Sequence, residues 1–245
     1  KNTVIPATSP GDFNVVGEIF NVYEGASKNI ASGNFSHAEG TSTQATGEGS
    51  HAEGNTTTAS GEYSHSEGSA TTASGMHSHA EGASTTASGE YSHSEGSTTT
   101  ASSPYAHAEG YNTKSTGQGS HAEGLSTTAS GLASHAEGQI TRATGSFAHA
   151  EGYNTESTGL ESHAEGQDTI ASGDFTHAEG YGTKATGMGS HSEGMSTEAS
   201  GHSSHAEGFN TKVAASSSHA EGYQTKVIAQ ENSGTTDGGI HAEGY

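Results

Sequence analysis

The stretch Ser36-His37-Ala38-Glu39-Gly40 decides the fold, because versions of it return every fourteen residues along most of the chain. Its histidine recurs fourteen times at this spacing, from His37 to His219, and His241 follows after one longer gap. A glutamate stands two residues after each of these histidines. A strict, short period is typical of a solenoid, in which each repeat forms one coil stacked on the preceding coil.

The composition excludes an ordinary globular domain. Hydrophobic residues make up only 27% of the 245 residues, and 37 residues are Gly. Too few large apolar side chains are present to offset the entropy of the chain through a conventional core. Such a composition alone would suggest disorder, but a disordered chain has no reason to keep an unbroken fourteen-residue register. We therefore predict an ordered repeat structure.

The charge balance restricts the partners. The formal net charge is −21, from 7 Lys and Arg against 28 Asp and Glu. So few dispersed cations form no basic patch for nucleic acid, and anionic lipid surfaces would repel the chain. No apolar run is long enough to insert into a membrane. The absence of cysteine fits an extracellular or virion protein without disulfides, and the first residue, Lys1, suggests a trimmed or excised piece.

Three regions are predicted along the chain. Residues 1–19 form an irregular lead-in, and the apolar stretch Phe13–Tyr23 supplies a cap strand over the first coil. Residues 20–229 form the repeats, beginning with a degenerate coil at Phe20–Gly33 in which Val22 takes the place of the histidine. Residues 230–245 hold an insertion and a partial last coil, and we expect the natural chain to continue beyond them.

Alternation within each coil predicts which side chains face inward. The coil contains two short runs of period 2, which is the period of a β-strand. Ser36 and Ala38 share one face of the first run, and Thr43 and Ala45 share one face of the second. These positions hold small residues in every coil, so we expect them to point into a narrow roll. The histidines and glutamates must then point outward.

Two further positions complete the coil. A glycine follows each run, as at Gly40 and Gly47, and we expect both glycines to supply the positive φ of a tight corner. The positions of Phe35 and Thr41 have the same parity as the His/Glu pair and favour large residues. Aromatic residues occupy them at Tyr63, Tyr91, Tyr105, Phe147, Phe175, Tyr111, Tyr153, Tyr181, Phe209 and Tyr223.

The coil resembles the repeat of trimeric autotransporter adhesin heads, the YadA-like or Hep/Hag family. That family repeats Ser-Val-Ala-Ile-Gly-x-x-Ser-x-Ala-x-Gly, and the motif falls on Ser36–Gly40 followed by Thr43, Ala45 and Gly47. The resemblance covers residues 20–245 and implies an all-β, left-handed parallel β-roll that assembles as a homotrimer. The Ser-His-Ala-Glu-Gly form is more similar to repeats in neck and tail appendages of phages that infect Gram-positive bacteria.

His and Glu replace the apolar Val and Ile that line the trimer axis in that family, and two interpretations of this change stay open. In the first, the His/Glu pairs form a polar interface ladder that fixes the register and number of chains, with imidazole donating to carboxylate. In the second, three symmetry-related histidines bind a transition metal ion, with glutamate as ligand or support. The candidate residues are the same for both: His37, Glu39, His51, Glu53, His65, Glu67, His79, Glu81, His93, Glu95, His107, Glu109, His121, Glu123, His135, Glu137, His149, Glu151, His163, Glu165, His177, Glu179, His191, Glu193, His205, Glu207, His219 and Glu221.

The two interpretations predict different responses to pH. Pairing of His121 with Glu123 would raise the pKa of the imidazole and lower that of the carboxylate, so stability would be greatest in mildly acidic to neutral solution. A metal ladder would instead collapse below about pH 6, because protons compete for the imidazole, and it would be sensitive to a chelator.

Other functions find less support in the sequence. Catalysis needs a unique constellation in one pocket, whereas His and Glu recur in every coil, so we expect no enzyme. The threonines, with the runs Thr56-Thr57-Thr58 and Thr98-Thr99-Thr100, are similar to those of flat ice-binding solenoids, but the recurring threonine of the Thr43 position is predicted to point inward. His77 and His202 lie outside the histidine frame, and we expect them to be ordinary exposed polar residues.

We therefore predict a non-enzymatic, rod-like homotrimer, the extracellular shaft of a phage appendage or cell-surface adhesin that provides reach and attachment. Its partners are other copies of the chain and an unidentified receptor or glycan. The alternative is a subunit of a self-assembling extracellular filament, in which the Phe13–Tyr23 stretch adds a strand to the end of the next molecule.

Overall fold

The computed structural model describes residues 28–228 and 239–244, and nearly every coil contributes two short parallel strands. The chain divides into two units, residues 1–112 and residues 113–245. The strands of the first unit are β1 (Ile30–Ala31), β2 (His37–Thr41), β3 (Gln44–Ala45), β4 (His51–Asn55), β5 (Thr58–Ala59), β6 (His65–Ser69), β7 (Thr72–Ala73), β8 (His79–Ala83), β9 (Thr86–Ala87), β10 (His93–Ser94), β11 (Thr100–Ala101) and β12 (His107–Tyr111).

The strands of the second unit follow the same scheme. They are β13 (Lys114–Ser115), β14 (His121–Leu125), β15 (Thr128–Ala129), β16 (His135–Gln139), β17 (Arg142–Ala143), β18 (His149–Tyr153), β19 (Glu156–Ser157), β20 (His163–Gln167), β21 (Ile170–Ala171), β22 (His177–Tyr181), β23 (Lys184–Ala185), β24 (His191–Met195), β25 (Glu198–Ala199), β26 (His205–Ala206), β27 (Lys212–Val213), β28 (His219–Glu221), β29 (Lys226–Val227) and β30 (His241–Glu243). The described residues contain no helix, and so none that could cross a membrane.

Each unit contains two parallel sheets, one of odd-numbered and one of even-numbered strands. Residues fourteen apart pair in register, as His37 pairs with His51 and Ala38 with Ala52. The backbone bonds between coils are short: the His37 amide donates to the Ser50 carbonyl at 2.9 Å. Residues at one position of successive coils therefore form a column. The prediction of an all-β parallel solenoid with fourteen-residue coils is confirmed.

The inside of the roll holds only small side chains. Ala45, Thr43 and Ala52 are fully buried, and the equivalent Ala, Thr and Ser of the following coils are buried in the same way. The inward assignment made from alternation is therefore confirmed. Because the two sheets approach so closely, almost no volume remains for a large apolar core. Val213 and Val227 are the largest apolar side chains among the buried residues described.

Hydroxyl groups bond across the roll where the sequence supplies a partner. Ser66 stands where most coils have Ala, and its Oγ lies 2.7 Å from Oγ1 of Thr71. The same substitution at Ser94 gives a 2.7 Å bond to Thr99. In most coils with Ala at this position, as at Thr57, the buried threonine hydroxyl has no hydrogen-bond partner, whereas Thr211 donates to the Gly222 carbonyl at 3.2 Å. A buried hydroxyl without a partner costs free energy, so the serines stabilise their coils.

The expectation that both corner glycines have a positive φ is correct for only one of them. Gly40 has a φ of 109°, as predicted, but Gly47 is not in the positive-φ region. A Cβ on Gly47 would collide with the carbonyl oxygen of Gly61 in the next coil, so close approach of two backbones explains this column. The left-handed corners lie instead at non-glycine residues such as Phe35 (φ 57°) and Ser42 (φ 59°). Sequence alone does not separate the two reasons for a glycine.

Two predicted regions lie mostly outside the described residues. The lead-in of residues 1–19 and the Phe13–Tyr23 cap belong to the undescribed N-terminal part, as does most of the degenerate first coil. The insertion predicted in residues 230–245 is likewise undescribed, apart from residues 239–244. Within these, β30 pairs with β28 in the expected register.

Candidate functional site: the His/Glu face

The even-numbered strands of each unit present every predicted site residue on one outward surface, which we call the His/Glu face. Its histidines stack on one another in successive coils. The ring centroids of His65 and His79 lie 4.8 Å apart with an interplanar angle of 4°, and His79 and His93 lie 4.9 Å apart at 2°. The second unit repeats this arrangement, as for His149 and His163 at 4.8 Å and 3°. The face is thus an array of parallel imidazoles flanked by carboxylates.

The predicted hydrogen bond between imidazole and glutamate is formed at the first pair, where His37 Nε2 lies 3.2 Å from Glu39 Oε2. In ten further pairs within one coil, Nε2 and the carboxylate oxygen stand 3.5–3.9 Å apart, which is longer than a good hydrogen bond. Some rings are held between two carboxylates: His79 Nε2 is 3.6 Å from both Glu67 and Glu81. Within one chain the imidazole and the carboxylate are therefore close neighbours that mostly lack a direct hydrogen bond, and they form an ion pair only when the imidazole is protonated.

The stacking buries one nitrogen of most of these rings. The Nε2 atoms of His65 and His135 are shielded from solvent and make no hydrogen bond. The same holds for His51, His79, His93, His149, His163, His177, His191, His205 and His219. The side chains as a whole remain about one third exposed, for example 34% for His79 and 33% for Glu67. The face therefore combines partial exposure with polar atoms that lack partners.

Burial and the neighbouring rings control protonation of the histidines. The pKa of His121 is lowered from its ordinary value, first because burial disfavours the charged imidazole and second because His135 lies beside it. Burial lowers the pKa of His51, His65, His163, His191 and His205 in the same way. The expectation that pairing would raise the pKa of His121 is wrong within one chain, because the carboxylates offset only part of the desolvation.

Neighbouring glutamates in one column shift each other's pKa values. A hydrogen bond with Glu67 raises the pKa of Glu53, and one with Glu95 raises that of Glu81. The pKa of Glu67 is lowered: burial, its largest single influence, would raise the value, but bonds from Glu53 and Glu81 and the nearby imidazoles together lower it by more. Neighbouring carboxylates therefore shift in opposite directions, as expected where like charges stand close together.

The face contains groups with the residue types of a metal site. A histidine, its glutamate and the histidine of the next coil have ligand atoms within 4.8 Å of one another, as in His51, Glu53 and His65. Two imidazole nitrogens on one tetrahedral ion at about 2.0–2.1 Å must approach to about 3.4 Å, and each ring plane must contain the ion. Parallel rings 4.8 Å apart satisfy neither condition. One chain as described thus offers a single imidazole to each ion, with carboxylate oxygens beside it.

Sequence reasoning assigned the aromatic residues of the first unit to one position of the coil, but it did not predict that their rings stack or that His77 belongs with them. Tyr63, His77, Tyr91 and Tyr105 follow one another at fourteen-residue spacing, and their rings stack at 4.9–5.4 Å with interplanar angles of 2–13°. His77 is exposed, as expected, but it belongs to the repeat as a member of this column. Comparison with the position of Phe35, rather than that of His37, would have revealed it.

No protein-family model matches the chain, and no curated protein matches it closely enough to be called a relative. The fold and the His/Glu face therefore have to be interpreted from their own geometry.

Proposed function

We propose that this chain is the non-enzymatic shaft of an extracellular fibre, in which three copies pack through their His/Glu faces. The observation that carries the proposal is the repetition of one half-buried, incompletely bonded His/Glu pair in coil after coil. A ligand-binding or catalytic site needs one distinctive pocket, whereas a shaft needs the same contact repeated along its length.

The poor core supports assembly. Burial in the roll is almost entirely of Ala, Ser and Thr, each of which contributes little apolar area. Large apolar residues lie on the outside instead, and several of them follow the histidine strands of the second unit. Tyr181, Met195, Phe209 and Tyr223 are 39–53% exposed and occupy one column. Their burial between copies would supply the apolar area that the roll lacks.

Packing of the His/Glu faces would also satisfy their polar atoms. Buried nitrogens without hydrogen bonds, as at His65 and His135, each cost about 1–3 kcal/mol. A second chain that excludes water and moves the carboxylates slightly closer would complete these bonds. The resemblance of the coil to trimeric adhesin heads favours three copies and a left-handed roll. It is also the basis for proposing a phage appendage or cell-surface adhesin.

The test is the mass of the protein in solution, measured by light scattering on a sizing column. We expect three times the chain mass of 24.5 kDa. Glu165→Arg changes the His/Glu face, and three such arginines would meet at the axis, so we expect trimers to dissociate. Glu156→Arg is the matched control, because Glu156 lies on an odd-numbered strand away from that face. A monomeric wild type, or equal loss of trimer in both variants, would contradict the proposal.

Metal binding at the axis is a second candidate function, favoured by the His-Glu-His groups. Three copies would place three imidazoles in each layer and remove the geometric limit set by stacking within one chain. Elemental analysis of the purified protein and a melting curve with and without EDTA test this candidate. We expect a transition metal in proportion to the chain and a lower melting temperature in EDTA. If the trimer contains no metal and its melting temperature is the same with and without EDTA, metal binding is excluded and the shaft proposal is unaffected.

A further inference from the structure

A second regular surface lies on the odd-numbered strands of the first unit. The outward residues of β5, β7, β9 and β11 are all threonine, and serine occupies the outward position two residues later in each coil. We call these eight residues the hydroxyl array; they are Thr58, Thr72, Thr86, Thr100, Ser60, Ser74, Ser88 and Ser102. The threonines are half-buried and the serines are exposed.

The array is regular in two directions. Thr58 pairs with Thr72, and Thr72 with Thr86, so hydroxyls repeat at the inter-coil distance. The stacked histidines of the same coils have ring centroids 4.8–4.9 Å apart, which is the spacing of neighbouring strands itself, so outward side chains of successive coils are hardly displaced sideways. Along each coil, residues two apart in an extended strand are about 6.6–6.8 Å apart. The array is therefore close to a rectangular grid, without the twist usual in open sheets.

The chemistry of the array suits water better than a charged or apolar partner. Each threonine offers one hydroxyl and one methyl group, and its branched Cβ restricts rotation about χ1. The hydroxyl positions are thus set before any partner arrives. No charged residue interrupts these four coils of the grid, although the chain as a whole carries a net charge of −21. The nearest carboxylates in sequence, Glu62 and Glu90, belong to the next corner.

The second unit has the same backbone scheme but not the same surface. Its column equivalent to the threonines contains Arg142, Glu156, Lys184, Glu198 and Lys212, whereas the column equivalent to the serines keeps Ser or Thr from Ser130 to Ser200. Lys212 Nζ and Glu198 Oε2 form an ion pair at 3.0 Å across one inter-coil step. Charged groups bind their own tightly held water, whose positions do not follow the coil spacing. Thr128 remains as the one threonine in the column of Arg142 in the second unit.

We infer that the hydroxyl array of the first unit binds the surface of ice. A single exposed hydroxyl binds any small molecule weakly, because water competes for the same hydrogen bonds. A partner whose hydrogen-bonding groups repeat at the same two spacings can contact all eight residues at once. The small binding free energies of the single hydroxyls then add. Crystalline water is such a partner, since the oxygen spacings on its exposed planes are close to the two spacings of the grid.

These residues differ from the recurring threonines that the sequence first suggests. Thr57, Thr71 and Thr85 precede the array residues by one position, and all three are fully buried inside the roll. They cannot contact ice. The expectation that the Thr43 position points inward is confirmed. This inward orientation excludes the Thr43 column from ice binding, but it does not exclude the hydroxyl array. The inference is independent of the number of chains, because the array lies on the sheet opposite the His/Glu face.

The experiment measures ice recrystallisation and thermal hysteresis with the full-length wild-type chain. We expect the wild type to slow recrystallisation and to shape growing crystals. The double variant Thr72→Lys with Thr86→Lys gives the array the character of the second unit, and we expect the activity to be lost. The control, Thr128→Lys with Ile170→Lys, likewise introduces two lysines into this column, but in the second unit, and we expect full activity.

Melting curves of both double variants establish that the roll remains folded. If the threonine variant melts early, Ser74→Lys with Ser88→Lys repeats the test at exposed positions, where folding is little affected. A wild type without effect on ice would overturn the inference, and so would equal losses in the two double variants. Neither result would bear on the shaft proposal, which the solution mass tests separately.

Discussion

The two units have similar interiors, but they differ on the outer surface of their odd-numbered strands. Inside, both consist of the same buried Ala, Thr and Ser columns; Ala80 of the first unit and Ala122 of the second are equally inaccessible. Outside, the odd-numbered strands carry a hydroxyl array in the first unit and mostly charged residues of both signs in the second, where Glu198 pairs with Lys212. The even-numbered strands carry the same His/Glu pairs in both.

The contrast shows where the repeat is constrained. Close approach of the sheets leaves little volume for variation inside, so the interior changes only among small residues, except at Val213 and Val227 near the end of the second unit. The outer surface of the odd-numbered strands has no such limit, and its residues differ between the units. The His/Glu face is outside as well, yet it does not vary. Constancy of an outward surface from coil to coil is what a repeated contact would require.

The largest effect is expected from filling the interior. Ala122→Leu forces a large side chain between two adjacent sheets, and we expect a loss towards the upper end of about 1–3 kcal/mol in the free energy of unfolding of each chain. Ala80→Leu should cost the same in the first unit, because the interiors are equivalent. Gln118→Leu, at an exposed corner, should change little. Chemical denaturation measures all three, and similar values for Ala122→Leu and Gln118→Leu would disprove the inward assignment.

The next effect concerns the glycines that touch the following coil. Gly61→Ala places a Cβ against the carbonyl oxygen of Gly75, and Gly145→Ala does the same against Gly159. We expect each to cost about 1–3 kcal/mol, because the coils must separate and weaken their hydrogen bonds. Gly119→Asn is the control: the space that its Cβ would enter is open to 4 Å, and asparagine tolerates the φ of 64°. Comparable melting temperatures for Gly145→Ala and Gly119→Asn would contradict this explanation.

Acid should destabilise both units. The pKa of six described histidines is lowered by burial, among them His65 in the first unit and His163 in the second. The unfolded chain then binds more protons than the folded chain below about pH 6.5, so the free energy of unfolding falls as pH drops through that value towards the lowered pKa values. Melting curves from pH 8 to 5 measure this slope, which should be shallower in His163→Gln. A slope of opposite sign would show that pairing with carboxylate outweighs burial in the assembled protein.

The smallest effect is expected on the charged exterior of the second unit. Lys212→Thr removes the ion pair with Glu198, which is half exposed, and we expect a loss of about 0.3–0.5 kcal/mol at low salt. The difference from wild type should vanish in about 1 M salt, where exposed charges are screened. A loss that persists in high salt would indicate that the lysine stem packs on the strand surface instead.

The fold could be predicted from the sequence because the fourteen-residue period sets the length of a coil, and alternation along a strand sets the face on which each side chain lies. A side chain two residues from an inward alanine must also face inward, so the interior could be assigned from Ala38 and Ala45 alone. The reason for a glycine was not readable in the same way, since positive φ and close backbone approach both exclude a Cβ. Nor could the sequence predict that the rings of His65 and His79 would stack, because their orientation depends on side-chain torsions. That orientation decides both the lowered pKa and the poor geometry for metal within one chain.

The exact register between coils has a consequence for inheritance. Each coil presents the same edges to its neighbours, as at the step from His149 to His163. Deletion or duplication of any fourteen consecutive residues inside a unit therefore restores the original seam, wherever the break falls. Unequal recombination between the gene segments that encode these coils would alter the number of coils in whole steps and keep the backbone register between neighbouring coils. The repeat thus makes the size of this protein a heritable variable that can change without passing through a misfolded form.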